Sequence, residues 1–220
     1  MDQAVLVSIQ VGLPQERVVD GGRNADERTW ESGIFKFPVS GPVRLGVLNL
    51  EGDGQADLQN HGGLFRAVLG YSADHYPTWR ADLEMPDLAY GAFGENFTIQ
   101  GLTDETVYLG DVYAVGETRL QVTQPRMPCW KLAARWRIKD LTARVHERNW
   151  GGWYHRVLKE GLVEAGQAVT LVERGSSDFS IAFIAALMKQ WIDDRGAMRA
   201  LAAHPVLTPR WREVFAERAA

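Results

Sequence analysis

The chain has 220 residues, 45% of them hydrophobic and 24% charged, with a formal net charge of −4; this fits one buried globular core, or a core with a small satellite, and excludes a disordered or fibrous protein. The single cysteine excludes an intrachain disulfide, so nothing points to an oxidising compartment. No stretch nears 18 consecutive apolar residues, and the first ten residues lack the basic start and apolar run of a signal peptide; a cytoplasmic protein without a membrane span is expected.

In chain order, AVLVSIQV at 4–11 reads as a strand, and 12–42 is turn-rich, with Gly21–Gly22 and several acidic residues. GIFKFPVSG alternates enough for an edge strand, Pro38 keeping it from a central position. VRLGVLNL at 43–50 alternates again and runs into the Gly/Asp loop EGDGQAD. A helix is expected to begin near Ser72–Asp74, with Ser72 as its cap and Tyr76, Trp79 and Leu83 on one face. GAFGENFTIQG is a glycine loop, a short strand and a glycine turn; VYL, VYAV and RLQVT follow as short strands separated by Gly-Asp and Gly-Glu turns. CWKLAARW and DLTARVHERN read as helices, the second capped by Asp140. GWYHRVLKEG, bounded by glycines, and QAVTLVER complete the strands.

Gly175–Ser176–Ser177–Asp178 reads as a linker. Beyond it lie three segments of about three helical turns each, the last opening with Thr208 as cap and Pro209 at the first helical position. The expected organisation is therefore a mainly β domain over 1–175, a twisted mixed or antiparallel barrel with peripheral helices, and a small all-α three-helix domain over 176–220. A satellite that small must bury its apolar face against its own helices or the main body.

Charge is unevenly spread. Residues 1–110 carry 7 basic and 16 acidic side chains, and 111–220 carry 17 and 12. The asymmetry fits either scattered solvated faces or a basic-walled cleft for an anionic ligand. No Lys/Arg block is interleaved with aromatics, so a nucleic-acid surface is not expected.

The chemistry is expected to centre on Cys129 in QPRMPCWKL. Arg126 and Lys131 flank it, Pro125 and Pro128 stiffen the backbone, and a helix follows directly. A thiol at the first turn of a helix beside cations has its thiolate stabilised. A fall in pKa from near 8.5 to about 6 would raise the thiolate at pH 7 from about 3% to roughly 90%. Such an anion suits nucleophilic sulfur chemistry or ligation of a soft or high-valent metal. Asn60–His61–Gly62–Gly63 with Arg66 forms a second cluster, in which glycine N–H groups and a guanidinium could meet an anion. Gly94–Glu95–Asn96 is a third, Asn96 being either a cofactor hydrogen-bonding residue or an Asx turn. The loop EGDGQAD lacks the ligand spacing of an EF-hand, and the five histidines show no HExxH or close Cys/His pairing. Phosphate-loop, dinucleotide and GxSxG motifs do not occur.

Taken together, NLEGDGQADLQNHGG, FRAVLGYSADHYPTW, GAFGENFTIQGLTDETVYLGDVYAVG and QVTQPRMPCWKL resemble the MOSC family, named for the C-terminal domain of molybdenum cofactor sulfurase. The resemblance covers roughly 4–172 and is closest to the YiiM-like branch of stand-alone bacterial proteins, which carries a three-helix extension. It implies a twisted, mostly β barrel binding the molybdenum cofactor (molybdopterin). The family's cysteine, a sulfur carrier or molybdenum ligand, falls on Cys129. The anion-handling positions fall on Arg66, Arg126 and Lys131, and the motif glycines and polar residues on His61, Gly62, Gly63, Gly94, Glu95 and Asn96. The branch is associated with reduction of N-hydroxylated base analogues such as 6-hydroxylaminopurine. No iron–sulfur cysteine pattern occurs here, so a separate electron-donor reductase protein is expected, with a small-molecule N-hydroxylated substrate. A non-catalytic cofactor carrier, a persulfide sulfur-transfer protein and an interaction module stay open as rivals. The helical tail is expected to be a docking or homodimer element.

Overall fold

The computed structural model describes residues 3–19 and 28–220; the expected Gly21–Gly22 turn lies outside these residues. Twelve strands are described, β1 (Val5–Val11), β2 (Gln15–Val19), β3 (Arg28–Ser32), β4 (Phe37–Pro38), β5 (Val43–Leu45), β6 (Val68–Ser72), β7 (Phe97–Gln100), β8 (Val112–Val115), β9 (Thr118–Pro125), β10 (Trp153–Lys159), β11 (Gly161–Val163) and β12 (Val169–Glu173). The helices are α1 (Leu58–His61), α2 (Tyr76–Asp82), α3 (Trp130–Trp136), α4 (Leu141–Arg148), α5 (Ile181–Met188), α6 (Arg195–Ala203) and α7 (Pro209–Ala219).

Eight strands form one mixed sheet in the order β12-β8-β9-β10-β6-β7-β1-β4. Only β6 and β7 run parallel; the other neighbours are antiparallel. The sheet curls until its first strand meets its last: Val5 bridges Ala168, and Leu6 N donates to Gln167 O at 2.9 Å. The enclosed face is filled by Leu6, Ile9, Val68, Phe97, Val122 and Trp153 among others, all essentially buried. At about 25 cal/mol per Å2, this apolar burial is the main force holding the curled sheet.

A second cluster lies outside the curl, where α2, α3 and α4 pack Tyr76, Trp79, Leu132, Leu141 and Val145 on Tyr71 and Phe93. A third joins α5, α6 and α7 through Ile184, Leu201 and Phe215, and takes Leu109 and Met127 from the sheet-bearing part. The helical tail thus buries its apolar faces both on itself and on the main body. Thr208 fastens it further, its Oγ1 donating to Gln124 Oε1 at 2.6 Å.

Several local expectations are corrected. VLGYS is a central strand, β6, rather than a lead-in to a helix; and β2 (Gln15–Val19) and β3 (Arg28–Ser32) pair antiparallel where only turns were expected. VYL at 107–109 is no strand, although Tyr108 bridges Ser180. Asp140 and Thr208 stand at the starts of α4 and α7, but neither side chain caps its helix. Asp140 accepts from Arg144 instead, and Thr208 is committed to Gln124. Ser72 does cap, accepting from Asp74 N at 3.2 Å, but at a short 3-10 turn ahead of α2.

Candidate active site around Cys129

The segment that carries the cysteine leaves the sheet at the end of β9. Arg126 N still donates to Gly152 O at 2.9 Å, after which Pro128 and Cys129 lead into α3. The chain opposite runs so close that a Cβ at Gly151 would stand 2.2 Å from Arg126 O, a contact no side chain could make. Cys129 is held at the N-terminus of α3, with Leu132 N donating to its carbonyl at 3.1 Å and Thr142 Oγ1 at 3.2 Å.

The cysteine lines a cleft of about 600 Å3, part of it open to solvent. His61, Arg66, Gly94, Asn96, Arg126 and Lys131 share its lining. Gly62, Gly63 and Glu95 do not. Gly63, at a φ of +88°, turns the chain from α1 into the short turn that carries Arg66. Glu95 is fully buried behind the wall and accepts from Tyr76 Oη, Gly91 N, Phe93 N and Thr98 Oγ1. Its carboxylate is thereby committed to the 91–98 loop. Asn96 is committed as well: its Oδ1 accepts from Leu69 N, and its Nδ2 donates to Asp53 Oδ2 and Gln10 O. It faces the cleft as a strut between β1, β6 and the Asp53 loop.

Lys36 and Tyr154 are among the lining residues that sequence reasoning missed. Lys36 is a buried ammonium paired with Asp53. Burial lowers its pKa, and the Asp53 carboxylate offsets that only in part. Tyr154 is buried too, and its phenol is raised mainly by desolvation. Neither carried a local signal. Lys36 sits in a strand-like run and Tyr154 in an alternating strand, and only the curl of the sheet brings them to Cys129.

The thiol is poised. Burial alone would raise its pKa, but a hydrogen bond from His61, the Arg126 guanidinium and the Lys131 backbone N–H together lower it to about 7. This is a smaller fall than one to about 6 would be, for two reasons. Burial taxes the anion, and Lys131 acts through its N–H rather than its ammonium. That ammonium donates to Glu31 O at 2.8 Å and lies 5.9 Å over the Trp30 ring. A thiol of pKa about 7 is roughly half thiolate at neutral pH. His61 in turn has Asp57 3.6 Å from its Nδ1.

Arg126 is the other key group. It is 6% exposed; its Nη2 donates to Phe93 O at 3.1 Å, while its Nη1 is buried without a hydrogen-bond partner among the described residues. A buried guanidinium with an unmet donor, lining a cleft, is a place where an anion lowers the free energy. The cleft's cations come from both halves of the chain, Lys36 and Arg66 from the acidic half and Arg126 and Lys131 from the basic half. The charge asymmetry along the sequence therefore does not account for the cleft.

A curled mixed sheet with an anion-receptive cleft and one activated thiol at a helix start defines the class of this protein. A family model for the MOSC domain matches residues 57–170. The chain is 39% identical over 213 residues to the uncharacterized protein YflK of Bacillus subtilis (strain 168), covering 97% of this chain and 93% of that one. It is 39% identical over 153 residues to a protein named Reductase from Gibberella moniliformis, covering 68% of this chain but 27% of that one. The crystal structure of YiiM from Geobacillus stearothermophilus superimposes with a TM-score of 0.80 at 36% identity, covering 99% of this chain and 100% of that one. The chain belongs to the MOSC domain family, in its YiiM-like branch. The matched segment contains Cys129, His61, Arg66 and Arg126, whereas Lys36 and Asp53 precede it.

Proposed function

We propose that this chain is a molybdenum-cofactor-dependent reductase that converts N-hydroxylated compounds, such as 6-hydroxylaminopurine, to the corresponding amines. The observation that carries the reading is the pairing, in one cleft, of a thiol of pKa about 7 with a buried guanidinium whose Nη1 has no partner among the described residues. The MOSC family is associated with the molybdenum cofactor, and these residues fit that group. Cys129 offers a soft anionic donor, and Arg126, Arg66 and Lys131 offer cationic or N–H partners for a phosphate-bearing ligand. Among the described residues no three His, Cys, Asp or Glu side chains gather as a metal site, so Cys129 would be one donor to a metal that brings its other ligands with it.

When bound, the cofactor supplies a metal centre able to accept oxygen and pass two electrons. The chain's own part is to bind and orient. His61 hydrogen-bonds the sulfur and stabilises its anion, Arg126 meets negative charge in a buried setting, and Tyr154 and Leu69 form part of the wall. The overall reaction is R–NH–OH plus two electrons and two protons giving R–NH2 and water. The electrons come from a separate donor protein.

The test is molybdenum and pterin content in protein from a cofactor-competent host, wild type against Cys129→Ala, followed by reduction of 6-hydroxylaminopurine with an artificial electron donor. Near-stoichiometric metal that falls in the variant, with turnover by the wild type, is expected. Full turnover by Cys129→Ala sinks the ligand role. The activated thiol also favours a second reading, sulfur transfer. For that, mass spectrometry would find a reductant-sensitive extra sulfur on Cys129.

A further inference from the structure

The helical tail grips the thiol-bearing segment from behind. Its first helix, α5, ends at Lys189, whose ammonium donates to His146 O at 2.6 Å and to Asn149 Oδ1 at the end of α4. Trp191 covers that ammonium, its ring centroid 4.1 Å from Nζ. Helix α4 in turn holds the segment: the His146 ring hydrogen-bonds the Pro128 backbone, and Thr142 Oγ1 donates to Cys129 O at 3.2 Å. Two further contacts tie the tail to the same stretch of chain. Thr208 Oγ1 donates to Gln124 Oε1 at 2.6 Å, both side chains being buried, and Met127 packs into the tail's apolar cluster.

These polar ties matter because the space between tail and segment is not filled. Arg126, Pro128, His146, Asn149, Ala185 and Lys189 border a second cavity of about 210 Å3, partly open to solvent. Close packing fixes a distance by itself, whereas across a void the hydrogen bonds must set it. Arg126 lines this cavity and the thiol's cleft alike, so a shift of the segment into the void carries the guanidinium away from the sulfur. We propose that the tail is part of the cleft's scaffold, with Lys189 and Thr208 as positioning residues that hold Arg126 beside Cys129. Neither needs to touch a ligand: Lys189 acts through α4, and Thr208 through Gln124, two positions ahead of Arg126. The role goes beyond the reductase reading and serves any chemistry at Cys129.

The test is the rate at which the full chain's single cysteine, Cys129, is alkylated by iodoacetate and by iodoacetamide at pH 7. The two reagents are close in size and differ in charge. Their rate ratio cancels the thiolate fraction and the exposure of the sulfur, and reads the positive charge beside it. A loss of stability alone leaves the ratio of the folded protein where it was. The ratio is expected to fall about threefold in Lys189→Met and to stay near the wild-type value in Lys189→Arg, which keeps the charge and the donors. Two uncharged changes separate position from lost charge. Asn149→Gly removes an acceptor yet suits the left-handed backbone there, at a φ of +57°, and Thr208→Val releases Gln124. Each is expected to lower the ratio about twofold. An unchanged ratio in Asn149→Gly overturns the role of Lys189, and in Thr208→Val that of Thr208, whatever Lys189→Met does. The assay needs no cofactor, so it decides the tail's role whether or not the reductase reading stands.

Discussion

At the scale of single residues, the cleft turns on which charges reach one sulfur atom. Cys129 lies beside His61 and Arg126 and near a helix N–H, and burial works against all three. Alkylation of Cys129 should therefore show a half-point near pH 7, since the thiolate is the nucleophile. In His61→Ala, which removes a hydrogen bond to the anion, that half-point should move up by about one unit; a profile that does not move would show that His61 leaves the thiol alone. Cys129 and Arg126 were legible in the sequence because they sit three positions apart beside a helix start. Lys36 and Tyr154 were not, because a strand pattern says which face a side chain takes but not which distant strand it will meet.

At the scale of elements, the stretch 91–98 shows how a loop wall is held. Glu95 has no exposed surface and accepts four hydrogen bonds, from two backbone N–H groups and two hydroxyls. Glu95→Ala would strand all four donors, with an expected cost of about 3–5 kcal/mol. The check is the urea midpoint, which should fall steeply, whereas Glu95→Gln should lie between the variant and wild type. The strands β1, β7, β8, β9 and β10 and the helices α3 to α7 were legible from alternation and helical spacing. β6 was not: all five of its residues are buried, so it lacks the two-residue alternation of a half-exposed strand, and Gly70 interrupts its apolar run. The pairing of β2 with β3 was missed for the opposite reason, since Glu16, Arg17 and Val18 are exposed and supply no apolar stripe.

At the scale of the whole molecule, stability should depend on pH through a group that does not line the cleft. His155 is buried in the sheet, its Nε2 accepting from Trp153 Nε1 at 3.1 Å. Burial lowers its pKa to about 4, offset in part by the Val68 backbone. The unfolded chain takes up this proton near pH 6.5 and the folded chain only near pH 4, so the unfolded state binds more protons between those values. Stability should accordingly fall by up to about 3 kcal/mol as pH drops from 6.5 to 4. Thermal unfolding across that range should show the loss, and His155→Gln should remove much of the slope. The overall shape was legible as a mainly β body followed by helices; that the helices share Leu109 and Met127 with that body was not, because a linker signal marks a bend in the chain and says nothing of what the far side packs against.

The meeting of Val5 with Ala168 and of Leu6 with Gln167 has a consequence for the order in which the chain can be built. A polypeptide made from its N-terminus presents β1 long before most of its partners exist: β4 follows early but pairs only with Gln10 and Val11, whereas β7 arrives some ninety residues later and the closing partner later still. Synthesis at about 5–20 residues per second leaves that apolar strand waiting for several seconds with its edges open. The nascent chain is thus most vulnerable to misassociation before residue 169 emerges, and dependence on a holding chaperone should end abruptly once it does.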